Sequence, residues 1–365
     1  MATQSEALET TASAREEALG FNRRGLFLGG CPKSGTTLLL SLLDSHPRLV
    51  ALPEETFYLH DGSRYAALGS NEVKLHRLLE KTNLRLLAQG WFEPLRECRS
   101  ADARDYSGFD HRRFIALAKE FIRQPWIDDS LLLSEVVRAY AIALGADWRH
   151  CVRWIEKTTD NELFRDVLQR LYPDAKLIQL VRDPRAVFAS RKQRLMNGAG
   201  SYTKAHRLVR QWNRCACQIP RLRGKPDKFL TVRYEDLVTK PKIVLREVCK
   251  FAGLDFVPGL LKPTRAGKDW LGNSAFQEGF NGIDAAPVDQ WKAHLTEQEV
   301  WWVEFHCRHG MELAGYPLHT DGRFSLRRWL RRLPGESCEG YLRARRASGC
   351  QLVGLLKDCS DPAQG

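Results

Sequence analysis

The run Gly29-Gly30-Cys31-Pro32-Lys33-Ser34-Gly35-Thr36-Thr37 lies between the apolar segments Leu26-Phe27-Leu28 and Leu38-Leu39-Leu40. A strand, a tight turn and a helix start in that order direct backbone N–H groups and a helix dipole at one anion-sized space. Ser34, Thr36 and Thr37 add hydroxyl donors there. A nucleoside triphosphate loop, GxxxxGK[ST], places lysine directly after its second glycine, within reach of the terminal phosphates. In this chain that position is Thr36, and the nearby cation is Lys33, inside the loop. An ammonium there suits a bridging oxygen better than a γ-phosphate, which points away from ATP.

A second anion site is expected at Arg182-Asp183-Pro184-Arg185-Ala186-Val187-Phe188-Ala189-Ser190, after the apolar run Lys176 to Val181. Arg182 supplies a planar fork and Ser190, on the helix that follows, a hydroxyl; together they suit a phosphate monoester. Asp183 reads either as a magnesium ligand or as the cap of a helix whose first turn holds Pro184, the cap being favoured.

The elements that must position these residues alternate between strand and helix. Gly25 to Gly30, Leu49 to Leu52, Lys176 to Val181 and Lys228 to Arg233 read as strands. Thr36 to Ser45, Asn161 to Tyr172, Pro184 to Arg194 and Lys242 to Phe251 read as helices. Such alternation predicts an α/β fold, a mostly parallel central sheet flanked by helices, with ligands at the carboxyl ends of its strands. Residues 63–146 carry helical periodicity and read as an insertion; residues 1–20 read as a flexible polar arm, 21–320 as the main domain and 321–365 as a basic extension.

With 365 residues and 43% apolar content the chain can fill a large core. No apolar stretch approaches the roughly 18 to 20 residues that span a bilayer, and the amino terminus lacks the charge-then-apolar pattern of a secretory leader. The ten cysteines are scattered, with one close pair, Cys215 and Cys217, which fits a reduced cytoplasmic setting and no metal site. The net charge of +12 favours acidic partners such as nucleotides, anionic sugars, nucleic acid or membrane surfaces; of these a nucleotide donor and a small-molecule or glycan acceptor are expected, and nucleic acid is not. Phe324 to Leu333, apolar residues among arginines, reads as a solvated helix or as a contact with the inner face of a membrane.

The two phosphate motifs in this order resemble those of the sulfotransferases that use 3′-phosphoadenosine 5′-phosphosulfate (PAPS), over roughly Leu26 to Gly310. Tyr234-Glu235-Asp236-Leu237 and Trp291-Lys292-Ala293-His294 extend the likeness. The resemblance implies a P-loop-type three-layer sandwich, no metal, and PAPS as co-substrate. It implies that Cys31, Pro32, Lys33, Ser34, Gly35, Thr36 and Thr37 hold the 5′-phosphosulfate, with Lys33 at the bridging oxygen. Arg182 and Ser190 would take the 3′-phosphate, and Tyr234, Ser274 and Phe276 would adjoin the nucleotide. Pro53-Glu54-Glu55-Thr56 and Trp154-Ile155-Glu156-Lys157-Thr158 are similar to segments of the carbohydrate and bacterial branch. They imply Glu54 as the base, with Glu55 as the alternative, and Lys157 as a second cation.

Where relatives have a basic residue shortly before the tryptophan matched by Trp291, this chain has Ala286-Pro287-Val288-Asp289-Gln290; Arg265 or Lys268 are candidates to replace it. The expected acceptor is a glycan or small molecule, with Tyr65, Trp91, Phe92, Tyr106 and Trp126 as candidate stacking surfaces. A nucleotide or small-molecule kinase and a binding module with a degenerate donor site are the competing readings.

Overall fold

The computed structural model describes residues 4–91, 104–196, 205–270, 272 and 282–320. Helix α1 (Gln4–Asn22) leads into β1 (Gly25–Gly30), α2 (Thr36–Asp44) and β2 (Leu49–Ala51). Five helices follow: α3 (Gly62–Ala67), α4 (Asn71–Lys81), α5 (Leu84–Ala88), α6 (His111–Ile122) and α7 (Leu132–Leu144). Then come β3 (Arg153–Lys157), α8 (Arg165–Leu171), β4 (Lys176–Val181), α9 (Pro184–Met196), α10 (Ala205–Ala216), α11 (Ile219–Arg223) and β5 (Phe229–Arg233). The chain continues with α12 (Tyr234–Thr239), α13 (Pro241–Ala252), a hairpin of β6 (Thr264–Arg265) and β7 (Lys268–Asp269), α14 (Trp291–His294) and α15 (Glu297–Ala314). The described residues within 1–180 and 225–284 form one compact unit, and those within 181–224 and 285–365 another.

The first unit is built on a five-stranded sheet, flanked by helices, in the order β2-β3-β1-β4-β5. β1 pairs in parallel with β3 and with β4, Gly30 standing opposite Leu180, and β2 pairs in parallel with β3. All six residues of β1 are buried, the continuous burial expected of a central parallel strand. Beneath it Trp154 is wholly enclosed, its ring 5.4 Å from Phe27 and 5.8 Å from Tyr172. The strand order reverses beside β1, so its carboxyl end opens where ligands of parallel sheets bind.

Three expectations change. The polar arm is helical from Gln4, because Ala18 and Phe21 are buried and Asn22 donates to the Ser130 carbonyl at 2.5 Å. The helix expected over Asn161 to Tyr172 begins as a 3₁₀ turn, Asn161–Phe164, before α8; the Asn161 side chain is drawn aside to the Leu28 carbonyl at 3.0 Å. β3 was not anticipated: Arg153, Glu156 and Lys157 interrupt the apolar run that a buried strand normally shows. The basic extension at 321–365, with its Phe324 to Leu333 segment, lies outside the described residues. Among the described residues no helix is long and apolar enough to cross a membrane.

In the second unit Arg185 organises the packing. Its guanidinium donates to Asp183 Oδ2 at 2.6 Å and to Glu304 Oε1 at 2.7 Å, and lies 4.3 Å from the Trp291 ring centroid. Glu304 on α15, fully buried, also accepts from the His319 and Thr320 N–H groups. The charges of Arg185 and Glu304 are enclosed yet each is answered by further partners, the condition under which a buried ion pair is tolerated.

Candidate active site

The loop after β1 is shaped by backbone. Gly30 has φ 136°, and a Cβ there would lie 2.3 Å from the Leu180 carbonyl oxygen; Gly35 has φ 90°, and a Cβ there would lie 2.4 Å from the Tyr234 ring. Glycine is therefore required at both. Lys33 takes a left-handed conformation, φ 75°, without being glycine, a strain of the sort stored at working sites. Lys33 and Gly35 are both left-handed, and the Ser34 N–H closes the turn on the Cys31 carbonyl at 3.0 Å. α2 begins there with no side-chain cap and no acidic residue in its first turn, leaving its first N–H groups for an anion.

Ser34 supplies the most direct observation. Its residue is 0% exposed, and its hydroxyl has no hydrogen-bond partner among the described residues. A buried hydroxyl so placed forfeits its hydrogen bonds to water unless a ligand restores one. Ser34→Ala is accordingly expected to leave the unfolding midpoint of the ligand-free protein unchanged or slightly raised, while weakening nucleotide binding about five- to tenfold, for one lost hydrogen bond. Thermal unfolding and calorimetry on the same samples check both halves; a large loss of ligand-free stability would mean the hydroxyl already has a partner.

The carboxyl ends of β2 and β3 meet beside this loop in the sheet order and carry the acidic segment. Glu156, the anchor, is 1% exposed and accepts from Thr158 Oγ1 at 2.5 Å, Thr56 Oγ1 at 2.7 Å and Asn161 Nδ2 at 2.8 Å. Burial pushes its carboxyl above the usual range, and these hydrogen bonds oppose the shift. Thr158 Oγ1 in turn accepts the N–H groups of Thr56 and Phe57, each at 3.2 Å. The segment that follows β2 is thereby fixed to the end of β3. Its two glutamates have different surroundings. Glu55 Oε1 accepts from Lys157 Nζ at 2.8 Å, with side-chain exposures of 17% and 7%. Lys157 is therefore a strand-end residue holding a carboxylate, not a solvated loop lysine. Glu54, 2% exposed, is held by Arg104 Nε at 2.5 Å, Arg104 Nη2 at 3.3 Å and the Tyr106 hydroxyl at 2.8 Å.

Tyr106 is thus no stacking surface: it is 1% exposed, and burial, then the Glu54 charge, raises its phenol well above the ordinary value. Tyr65 is also enclosed, at 1%, whereas Trp91 is 41% exposed and Trp126 half-buried; Phe92 lies outside the described residues. Ser274 and Phe276 lie outside them too. Lys268 and Arg265 are not free for a phosphate clamp. Lys268 Nζ is 2.9 Å from Asp105 Oδ2, and buried Arg265 acts electrostatically on Asp44 and Tyr106.

The Lys268 contact holds the Asp105 carboxyl down to about 2, with hydrogen bonds from Ser107 adding to the effect. Because this lies below the ordinary 3.8, the stabilisation is complete above about pH 4 and is lost as pH falls through about 2. The stability gap between parent and Asp105→Asn should hold from about pH 7 to about pH 5 and close toward about pH 2. It should also shrink with salt, since both partners are well exposed. A gap independent of pH in thermal unfolding would refute the ionic origin.

In the second unit Arg182, 8% exposed, follows β4, and Ser190, 4% exposed, lies on α9. Arg182 Nη2 donates to the Pro287 carbonyl at 3.1 Å, and its own carbonyl accepts from Trp212 Nε1 at 2.9 Å. The segment without the basic residue thus contributes a backbone oxygen that orients Arg182. Asp183 Oδ1 accepts the Arg185 N–H at 2.8 Å and caps α9, the favoured alternative for that residue. Arg104, Glu156, Thr158 and Asn161 were missed in the sequence. The signal available was Glu156-x-Thr158 together with Thr56 in the segment after β2, hydroxyls that fit a buried carboxylate only once β3 is known.

A sequence profile described as Sulfotransferase family matches residues 25–258. A putative protein-tyrosine sulfotransferase of Caenorhabditis briggsae is 25% identical over 243 residues, covering 65% of this chain and 68% of the relative. Carbohydrate sulfotransferase 5 of Mus musculus is 30% identical over 184 residues, covering 42% of this chain and 47% of the relative. The match therefore spans about two thirds of the worm relative and half of the mouse one. The solved sulfotransferase domain from the curacin biosynthetic pathway covers 80% of this chain and 98% of its own, at 20% identity and TM-score 0.53, a likeness of fold. With the matched residues running from β1 past α13, and the displaced lysine within them, the chain belongs to the sulfotransferase family.

Proposed function

We propose that the protein transfers the sulfuryl group of PAPS to a hydroxyl or amine of a carbohydrate or other small acceptor. The observation that carries this reading is the enclosed Ser34 hydroxyl, without a hydrogen-bond partner among the described residues, in a left-handed turn before the uncapped start of α2, with the lysine inside the loop. It fits a 5′-phosphate on the α2 side and a cation at the phosphate–sulfate bridge. The donor, when bound, supplies an activated sulfuryl group and leaves as 3′,5′-adenosine bisphosphate (PAP), keeping the electron pair of the broken bridge.

Each protein group then has a task. Lys33 neutralises charge that develops on the bridging oxygen. Ser34, Gly35, Thr36 and Thr37, with Cys31 and Pro32 shaping the turn, hold the phosphate, and Tyr234 keeps Gly35 in place. Arg182 and Ser190 are assigned to the 3′-phosphate on the sequence resemblance. The proton leaving the acceptor passes to a carboxylate after β2. The resemblance points to Glu54, with Glu55 as the alternative; Glu55 is preferred because every Glu54 oxygen is already engaged, while Glu55 is the more exposed and, among the described residues, keeps one oxygen beyond its contact with Lys157. Lys157 steadies Glu55 and offers positive charge to the acceptor side.

Calorimetry tests the nucleotide half of the reading. PAP should bind without magnesium, and adenosine 5′-monophosphate should bind at least about tenfold more weakly, for one lost Arg–phosphate contact. Equal affinity for the two would remove the 3′-phosphate assignment, and binding only of ATP with magnesium would favour a kinase.

A further inference from the structure

Arg104, Asp105 and Tyr106 are three consecutive residues whose side chains alternate, as an extended backbone requires. Arg104 and Tyr106 face Glu54, and Asp105 faces Lys268 on the β6–β7 hairpin. The hairpin is itself tied to the end of the phosphate-loop helix: Thr264 Oγ1 and the Gly267 N–H donate to Asp44 Oδ2 at 2.7 and 3.2 Å. A continuous set of contacts thus runs from α2 through the hairpin and this tripeptide to Glu54, the neighbour of Glu55 in the chain.

We propose that Glu54, Arg104 and Tyr106 form a neutral keystone that fixes the Glu55–Lys157 pair, and that all three are positioning residues rather than proton carriers. This rests on the sulfotransferase reading above. The physical argument is electrostatic. Two adjacent glutamates in a partly enclosed segment repel one another and compete for the cations there. Arg104 meets Glu54 on both oxygens, satisfying the one that is 2% exposed. Lys157 is then left to Glu55 alone. The charged and titratable groups facing the pair are Arg104, Tyr106 and Arg265 on the Glu54 side, and Lys157 and His60 on the Glu55 side. Loss of Arg104 leaves Glu54 as a buried charge that draws Lys157 away from Glu55. Loss of both charges removes that competition.

The test is a double-mutant cycle over Arg104→Met, Glu54→Gln and the combined variant, with Arg104→Lys as the conservative control. Three quantities are read: PAP affinity by calorimetry, the unfolding midpoint, and kcat and KM for PAP release from PAPS with p-nitrophenol as the acceptor probe. Expected for Arg104→Met is a fall in kcat of about 30-fold or more with PAP affinity unchanged. The combined variant should recover to within about fivefold of the parent, and Arg104→Lys should lie between. The unfolding midpoints should be non-additive in the same sense. Additive midpoints, or a combined variant as slow as the worse single one, would overturn the keystone. If the parent binds PAP but releases none from PAPS with p-nitrophenol or with pooled glycans, metabolites and amines, the transfer reading fails instead, and the midpoints still decide whether the keystone exists.

Discussion

Lys33→Met lowers kcat about 10²- to 10³-fold and leaves PAP affinity within about threefold, the effect of removing one pre-positioned charge from a transition state. The reason is the location of the ammonium. Lys33 sits inside the loop, where the proposed transfer would build negative charge on the bridging oxygen, and a group that acts only on developing charge alters turnover more than binding. The left-handed backbone of Lys33, φ 75°, supplies an internal control. Lys33→Gly relieves roughly 1 kcal/mol of backbone strain while adding freedom to the unfolded chain. Its unfolding midpoint should therefore stay within about 3 °C of the parent, with kcat as low as that of Lys33→Met. Two variants with equal loss of rate and intact folding would separate the ammonium from the loop's shape. Retention of parental kcat in either would remove Lys33 from the chemistry.

Glu55→Gln should cost about 10²- to 10⁴-fold in kcat, the range for loss of a general base, whereas Glu54→Gln should cost well under a tenth of that in the same assay. The two residues adjoin in the chain, so composition and spacing treat them alike; their partners separate them. Glu54 accepts three hydrogen bonds from Arg104 and Tyr106 and has lost contact with water, while Glu55 keeps a single cation at 2.8 Å and some exposure. A carboxylate whose oxygens are saturated by donors is poorly disposed to accept another proton. Equal losses in the two variants, with folding intact, would return the role to the pair as a whole.

The loop from Gly30 to Thr37 was legible in the sequence because its chemistry is local: glycines, hydroxyls and a lysine within one turn, flanked by apolar runs. β1, α2, β4 and α9 were legible for the same reason, each carrying an uninterrupted pattern beside a turn signal. β3 was not, since its Arg153, Glu156 and Lys157 serve partners elsewhere in the fold and so break the pattern of a buried strand. By aromatic type alone Tyr106 is either a stacking surface or a core ring, and nothing local reveals that its hydroxyl meets a glutamate 52 positions away. Arg104 carried no local signal at all. The Lys268–Asp105 pair spans 163 positions, a separation at which only the folded chain can specify a partner.

Sulfuryl transfer from PAPS at the Lys33 loop is the proposed activity. The most direct measurement incubates the purified protein with [³⁵S]PAPS and no magnesium across pools of glycans, small hydroxylated metabolites and amines, then follows label and mass. Label should appear in an acceptor with the mass gain of one sulfuryl group, PAP should form in equal amount, and Lys33→Met should abolish both. Phosphoryl transfer that requires ATP and magnesium, with no labelled product from PAPS in any pool, would contradict the account.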